Sequence, residues 1–377
     1  MRIIHTADTH LGYSAYTKVT ESGFNQREVD VYEAFNRVVD FALNPPDGKP
    51  IDLIIHAGDL FDSVRPTNRA MAWALNQFLR LSKAKIKLVV ISGNHETPKL
   101  KETGHVFRLF EHLPGIFPVY KGEYEQFRFS NGDENLVVHA IPHCTNQATL
   151  KKNLEKLTPK HGAFNLLVLH GGVLGMKEFR KGDFNEQLIP TNYLNAEWDY
   201  IALGHFHKHV EVRPNAFYSG STERFSFAEA QDEPGFVDLN LRSGKISRRF
   251  VPTKARPMIT QPIDCGDLDP LAITNLIERR LKEISCKGKV IRFVLDNISR
   301  ESYRSIDFNH LKRVSSEALH LELKPQIGAK SAEAKSLTTI GLLKDELRAY
   351  MNQLDISSKE KAILKEIALK YLAEVTE

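Results

Sequence analysis

Three short runs constrain this chain more than anything else in it: RIIHTAD, IDLIIHAGD and KLVVISGNH. Each is apolar at consecutive rather than alternate positions, the pattern of a strand buried on both faces. Between the first two lies REVDVYEAFNRVVDFAL, in which Val31, Phe35, Val38, Val39 and Ala42 recur at helical spacing; NRAMAWALNQFLRLS lies between the second and third. Strand, helix, strand, helix, strand in that order predicts an α/β fold with a mixed or mainly parallel sheet and helices on both faces. FNLLVLHG and YIALGHFH repeat the strand pattern, and hairpins are expected in EQFRFSNGDENLVVHAIP, around Asn131 and Gly132, and in GFVDLNLRSGKISRRFVP.

At 377 residues the chain is longer than one ordinary core requires. The α/β pattern occupies residues 1–253. The proline-rich PTKARPMITQP then opens a small α+β unit, 254–325, with three strands and two helices. QIGAKSAEAKSLTT, residues 326–339, reads as a polar linker, and residues 340–377 hold two amphipathic helices, IGLLKDELRAYMNQLD and KEKAILKEIALKYLAEV. The formal net charge of +4 permits a nucleic-acid partner without demanding one. Cys144, Cys265 and Cys286 are odd in number and far apart, which argues against a disulfide framework and for a reducing cytoplasm. MRIIHTADTH begins a strand at once, leaving no room for a secretory signal, and no apolar run approaches a membrane span.

Each apolar strand ends in a polar signature. RIIHTADTH delivers Asp8 and His10, LIIHAGD delivers Asp59, VVISGNHE delivers Asn94 and His95, LLVLHGG delivers His170, and IALGHFH delivers His205 and His207. Ligands of open α/β sheets bind beyond the carboxyl ends of the strands. Any one of these residues could be a cap or a turn residue; all of them in this context point to a site. Imidazoles and carboxylates with one carboxamide and no thiolate suit Mn²⁺, Fe²⁺ or Zn²⁺. So many donors exceed one tetrahedral ion and fit two ions about 3.5–4 Å apart that share a carboxylate. His209 falls beyond this pattern, while His5, His56 and His139 sit within apolar strand runs and are expected to be buried and hydrogen-bonded.

The order D-x-H, G-D, G-N-H, H, G-H-x-H resembles that of the calcineurin-like metallophosphoesterases. HTADTHLGY, HAGDLFDSVRP and ISGNHETP are similar to the SbcD-type double-strand-break repair nucleases, relatives of the eukaryotic meiotic-recombination nuclease. The resemblance implies a two-sheet sandwich flanked by helices, a small α+β DNA-capping domain and C-terminal helices. It implies one ion on Asp8, His10, Asp59 and His207, and a second on Asp59, Asn94, His170 and His205, Mn²⁺ being the usual metal. His95 would stabilise the transition state or protonate the leaving oxygen. Some relatives carry a histidine where this chain has Asp62, which puts any carry-over of that histidine's role in doubt. The implied activity is exonuclease and endonuclease cleavage of duplex ends and hairpins, beside an SbcC-like coiled-coil ATPase held by the C-terminal helices. A homodimer is expected through the helices NRAMAWALNQFLRLS and HVFRLFEHL, whose apolar residues exceed one narrow stripe. Arg242, Lys245, Arg248, Arg249, Lys254 and Arg256 form a candidate DNA-backbone stripe. Two other readings stay open: a phosphodiesterase for small molecules or cyclic nucleotides, and a metal-free scaffold on the same fold.

Overall fold

β1 (Arg2–Thr6), α1 (Gln26–Leu43), β2 (Leu53–His56), α2 (Asn68–Lys83), β3 (Lys87–Ile91) and β4 (Ile116–Val119) follow in the expected alternation. β5 (Glu125–Asn131) and β6 (Glu134–Ala140) form the first hairpin, and α3 (Gln147–Leu154) leads to β7 (Phe164–His170). Then come the two-residue strands β8 (Gly172–Val173) and β9 (Leu188–Ile189), followed by β10 (Tyr200–Gly204), β11 (Val210–Arg213) and β12 (Ala216–Tyr218). β13 (Gly235–Arg242) and β14 (Lys245–Pro252) are the second hairpin. β15 (Met258–Asp264), α4 (Pro270–Glu283), β16 (Val290–Ile298), the short helices α5 (Arg300–Arg304) and α6 (Phe308–Val314), and β17 (His320–Ile327) complete the order. This is a computed structural model, and it describes residues 1–132, 134–175, 186–242 and 244–327, with Leu364. The two C-terminal helices expected in 340–377 lie outside the described residues.

The strands make two six-stranded sheets, ordered β14-β13-β1-β2-β3-β4 and β11-β12-β10-β7-β6-β5. β1 to β4 are parallel, as are β6, β7, β10 and β12; the edge hairpins are antiparallel. The period of two explains the unbroken apolar runs, since alternate residues serve different layers. Ile3, Ile55, Val89, Val138, Val168 and Ala202 fill the space between the sheets. Ile4, Ile54, Leu88 and Val90 face the opposite way, with Val31, Phe35 and Val38 of α1 and Phe78 of α2. Leu167, Leu169, Ile201 and Leu203 do the same on the outer face of the second sheet, with Leu150 and Trp198. Each such fully buried aliphatic or aromatic side chain is worth roughly 1.5–3 kcal/mol. α1 starts where the Asn25 side chain accepts from the Arg27 and Glu28 N–H groups, and α2 where Thr67 accepts from Ala70 N–H.

The chain divides into two compact units, Met1–Gln261 with Ile277–Phe293 and Asn309–Glu322, and Pro262–Leu276 with Val294–Phe308 and the residues from Leu323 onward. β15, β16 and β17 form a three-stranded sheet in that order. Within the second unit Cys265 N–H donates to Asp296 O, and Tyr303 O–H donates to Leu323 O.

One expected helix is different. HVFRLFEHL forms a five-residue 3-10 helix, Val106–Phe110, because Pro114–Gly115 end the segment before a longer helix can propagate. Phe107 and Phe110 enter the core, while Leu109 is 56% exposed. Three residues of the basic stripe make ion pairs within the fold. Arg256 pairs with Asp30, Arg249 with Asp238, and Arg248 with Glu211 while lying over the Phe217 ring. Arg256 is largely covered, whereas Arg248 and Arg249 stay exposed at 43% and 61%, and such surface pairs are weak.

Candidate metal centre

The register of the parallel strands brings their carboxyl ends to one edge of the sandwich. β1, β2 and β3 supply Asp8, His10, Asp59, Asn94 and His95 from the first sheet; β7 and β10 supply His170, His205 and His207 from the second. The chain turns sharply there. Asp8 (φ 51°), His10 (φ 46°), Asp59 (φ 53°) and His205 (φ 107°) are all non-glycine residues at positive φ. Such conformations cost on the order of 1–3 kcal/mol each and persist only where the surroundings fix them. Here the fixing bonds are visible: Asp8 N–H donates to Gly58 O and His10 N–H to Asp59 O, both at 3.0 Å. Two glycines admit the approach. A Cβ on Gly93 would overlap Asp59 Oδ1, and one on Gly58 would overlap the His170 ring.

The expected donors converge in three overlapping groups, one of which joins His95 to His10 and Asp59. Asp8, His10 and His207 form the second, with His10 Nε2 and His207 Nε2 3.2 Å apart. Asp59, His170 and His205 form the third. Asp59 belongs to the first and the third, its Oδ2 lying 3.3 Å from His170 Nε2 and 3.8 Å from His10 Nε2. Asn94 Oδ1 is 2.9 Å from His170 Nε2 and 3.1 Å from His205 Nδ1. His95 stands at the exposed rim, its ring edge-on to His10 at 4.6 Å and its backbone N–H on Asp59 Oδ1. His209 does not join the cluster; Nδ1 bonds Tyr218 O and the ring stacks on Phe250.

This donor set suits a cation. A neutral imidazole has one N–H, and His170 places its own, at Nδ1, 2.8 Å from Ala57 O. The Nε2 lone pair then faces the Asp59 carboxylate, so two acceptors meet where only a positive charge reconciles them. Asp8 and Asp59 are moreover buried carboxylates, which the interior accepts only when compensated. Burial pushes His170 and His207 down, yet the carboxylates prevail: Asp59 and Asp8 lift His170, and Glu229 with Asp8 lifts His207, each to about 9. Against the upward pull of burial, His170 and His10 hold Asp59 well below the usual carboxylate range. His205 is driven to about 3, by burial first and by the neighbouring His170 second.

Several contributors were not found by sequence reasoning. Glu229 Oε1 lies 3.2 Å from His207 Nδ1. Glu96, fully buried, accepts the N–H groups of Gly93 and Leu60 and so ties two site loops together; burial and Asp59 raise it well above its ordinary value. Phe225 sets its ring against both His10 and His207. Asp62 Oδ1 lies 3.3 Å from His10 Nδ1, and Asp62 O is 3.1 Å from His95 Nδ1. Asp62 is already marked in the sequence as the place where some relatives carry a histidine, and Glu96 directly follows the G-N-H run; Glu229 and Phe225 have no signal. The strand-embedded histidines are buried and bonded as expected: His5 to Tyr200 and Leu203 O, His56 to Thr9, His139 to Tyr124 and Asn165.

Comparison with known proteins agrees in kind. The family model of the calcineurin-like phosphoesterases matches residues 1–221. The DNA double-strand break repair protein Mre11 of Sulfolobus acidocaldarius is 30% identical over 381 residues, covering 97% of this chain and 94% of that one. The protein of the same name from Methanosarcina acetivorans is 31% identical over 298 residues, with 75% of this chain and 44% of its own length covered. That from Saccharolobus solfataricus is 34% identical over 209 residues, with 55% and 49% covered. The chain thus spans nearly the whole of the first relative and less than half of the other two.

Proposed function

This chain belongs to the calcineurin-like phosphoesterases, in the Mre11 and SbcD branch, and from that membership we propose that it is a metal-dependent nuclease hydrolysing phosphodiester bonds at DNA breaks. The observation that carries the reading is Asp59 Oδ2, set between the imidazoles of His10 and His170. In this reading Asp8, His10, Asp59 and His207 hold one ion, and Asp59, Asn94, His170 and His205 hold the other, with Mn²⁺ as the metal. Two such ions, when bound, polarise a phosphodiester and lower the pKa of water, which supplies attack at phosphorus near neutral pH.

The protein's own groups do the rest. Asp59, fully buried, would serve both ions, and the His95 N–H on Oδ1 holds its carboxylate in place. His170 and His207 turn Nε2 toward the cluster because Ala57 O and Glu229 occupy their Nδ1 sides. His95 Nδ1 donates to Asp62 O, so Nε2 is the atom able to carry a proton to the leaving oxygen. Its exposed ring leaves it open to substrate, while its nearness to His10 and Asp59 also puts it within reach of a metal, so bound metal in a His95 variant separates the two roles.

Partners belong to the same proposal. DNA ends and hairpins are the substrates, an SbcC-like ATPase is the partner of the C-terminal segment, and the chain acts as a homodimer. Exposed Leu109, with half-buried Met71, Leu75 and Leu79 on α2, supports that dimer surface. Among the described residues no helix is long and apolar enough to cross a membrane. The test compares Mn²⁺-dependent hydrolysis of duplex ends, hairpin DNA and a chromogenic phosphodiester, with bound metal measured on the same samples. DNA cleavage with two ions per chain is expected. Turnover of the small diester alone would favour a small-molecule phosphodiesterase, and absence of metal would favour a scaffold.

A further inference from the structure

His207 has an unusually complete support on the side away from the cluster. Its Nδ1 lies 3.2 Å from Glu229 Oε1. That carboxylate is itself held: Ser226 O–H donates to Oε1 at 3.1 Å, and Phe225 N–H donates to Oε2 at 2.7 Å. Glu229 belongs to a single 3-10 turn, Phe227–Glu229, that follows Phe225, whose ring rests against His207 and His10. Tyr13 O–H donates to Phe225 O at 2.6 Å and anchors this turn to the loop after β1. The turn is therefore an arm carrying one carboxylate against one imidazole.

We propose that Glu229 is a positioning residue that fixes His207 as the Nδ1–H tautomer and so directs its Nε2 lone pair at the ion shared with Asp8 and His10. This rests on the metal reading given above. The logic is one of proton bookkeeping. A carboxylate accepts only, so the single N–H of neutral His207 has to sit on Nδ1 and Nε2 is left as a donor of electrons. Glu229→Gln reverses this without changing shape. Phe225 N–H still requires an acceptor, so the amide oxygen takes the Oε2 place and the NH₂ faces His207 Nδ1. Nδ1 then becomes the acceptor, the proton moves to Nε2, and the lone pair offered to the metal is lost.

Mn²⁺ titration by calorimetry tests this on the full chain. Glu229→Gln should bind one ion as the native protein does and the other about 10- to 100-fold more weakly, with unchanged circular dichroism. In metal-free protein, nitrogen NMR of the neutral ring should find the His207 proton on Nδ1 in the native chain and on Nε2 in Glu229→Gln. Native-like affinity at both sites in Glu229→Gln, or an unmoved proton, would overturn the proposal. A His207→Ala background guards against a merely structural effect. There Glu229→Gln should weaken Mn²⁺ no further, and a full additional loss would show that Glu229 does not act through His207. If His207→Ala alone left both ions bound at native affinity, the metal assignment of His207 would fall, and this inference with it.

Discussion

The backbone N–H of His205 points at the carboxylate of Asp8, 3.0 Å from each oxygen. The two residues are 197 positions apart and come from different sheets, so this bond closes the sandwich at the site. It also gives Asp8 two duties, one as a charge beside His10 and His207 and one as an anchor for the His205 turn. Asp8→Asn keeps an acceptor for His205 but removes the charge. It should fold normally and lose Mn²⁺-dependent cleavage by at least about 100-fold. Asp8→Ala should also melt earlier in the metal-free state, by about 1–2 kcal/mol for the lost hydrogen bonds. Equal melting of the two variants would show that the anchor contributes nothing.

Much of this was legible in the sequence, and the reason is physical. Strands buried on both faces are mostly apolar, so polar residues clustered just beyond them, as Asp8, Asp59, Asn94, His170 and His205 are, stand out, while the strand-embedded His5, His56 and His139 do not. The elements that were not legible lack periodicity. The 3-10 turn bearing Glu229 is three residues long, and nothing in its pattern distinguishes it from any other loop. Sequence also reports a cation but not the carboxylate that meets it, and Arg256 finds Asp30 from 226 positions away.

In the proposed reading Asp59 serves two ions, so its removal should differ in kind from the removal of a ligand to one. Asp59→Asn should bind neither ion at native affinity, whereas His207→Ala should keep the ion on His170 and Asn94. Metal analysis after dialysis separates the cases. Two tightly bound ions in Asp59→Asn would refute the bridging role.

In the proposed reading His95, exposed beside His10 and Asp59, serves the substrate rather than a metal. His95→Ala should retain both ions and lose roughly 100-fold or more in turnover, the scale of a lost proton donor or transition-state contact. Because the His95 backbone N–H, rather than its ring, holds Asp59, the substitution leaves that contact in place. Loss of metal from His95→Ala would make it a ligand and void the assigned role.

Gly93 makes a sharper test of geometry than any donor deletion. A Cβ there would overlap Asp59 Oδ1 and crowd the Asp59 backbone, neither of which can yield without moving the carboxylate. Gly93→Ala keeps every donor and should still lose both ions. A variant that binds Mn²⁺ as tightly as the native chain would mean that the loops after β2 and β3 are looser than this contact requires.

Protons and metal should compete at the site, and the sign follows from the histidines. His170 and His207 stand near 9, above the unfolded value of about 6.5. In metal-free protein their charged forms contribute stability fully below pH 6.5, and this is lost as pH rises through 9. His5, His56 and His205, held near 3, behave oppositely: they contribute above pH 6.5 and lose it as pH falls toward 3. Mn²⁺ requires neutral imidazoles and so binds more tightly as pH rises from 7 to 9. The rise in melting temperature on adding Mn²⁺ should therefore be larger at pH 9 than at pH 7. An equal rise at both would contradict the convergence of His170 and His207 on the metal.

Arg27 supplies the last prediction, on stability and not on the site. Its side chain is fully buried, pairs with Asp30 at 2.8 Å and Glu223 at 3.4 Å, and donates to Arg224 O. Asp30 has a second cation in Arg256, and Glu223 also accepts the backbone N–H groups of Arg224 and Arg256. Removing Arg27 leaves both carboxylates buried with one cation between them. Breaking a buried pair in this way costs about 3–5 kcal/mol, and the remaining Arg256 should hold the loss near the lower figure. Arg27→Met, which keeps much of the volume, should thus lower stability to urea by about 3 kcal/mol. The segment Glu223 to Glu229 is set by these same bonds, so Mn²⁺ affinity in Arg27→Met should fall at the His207 ion before the other. A loss confined to stability, with both ions bound natively, would show that the Arg27 cluster holds the fold without steering the turn that carries Glu229.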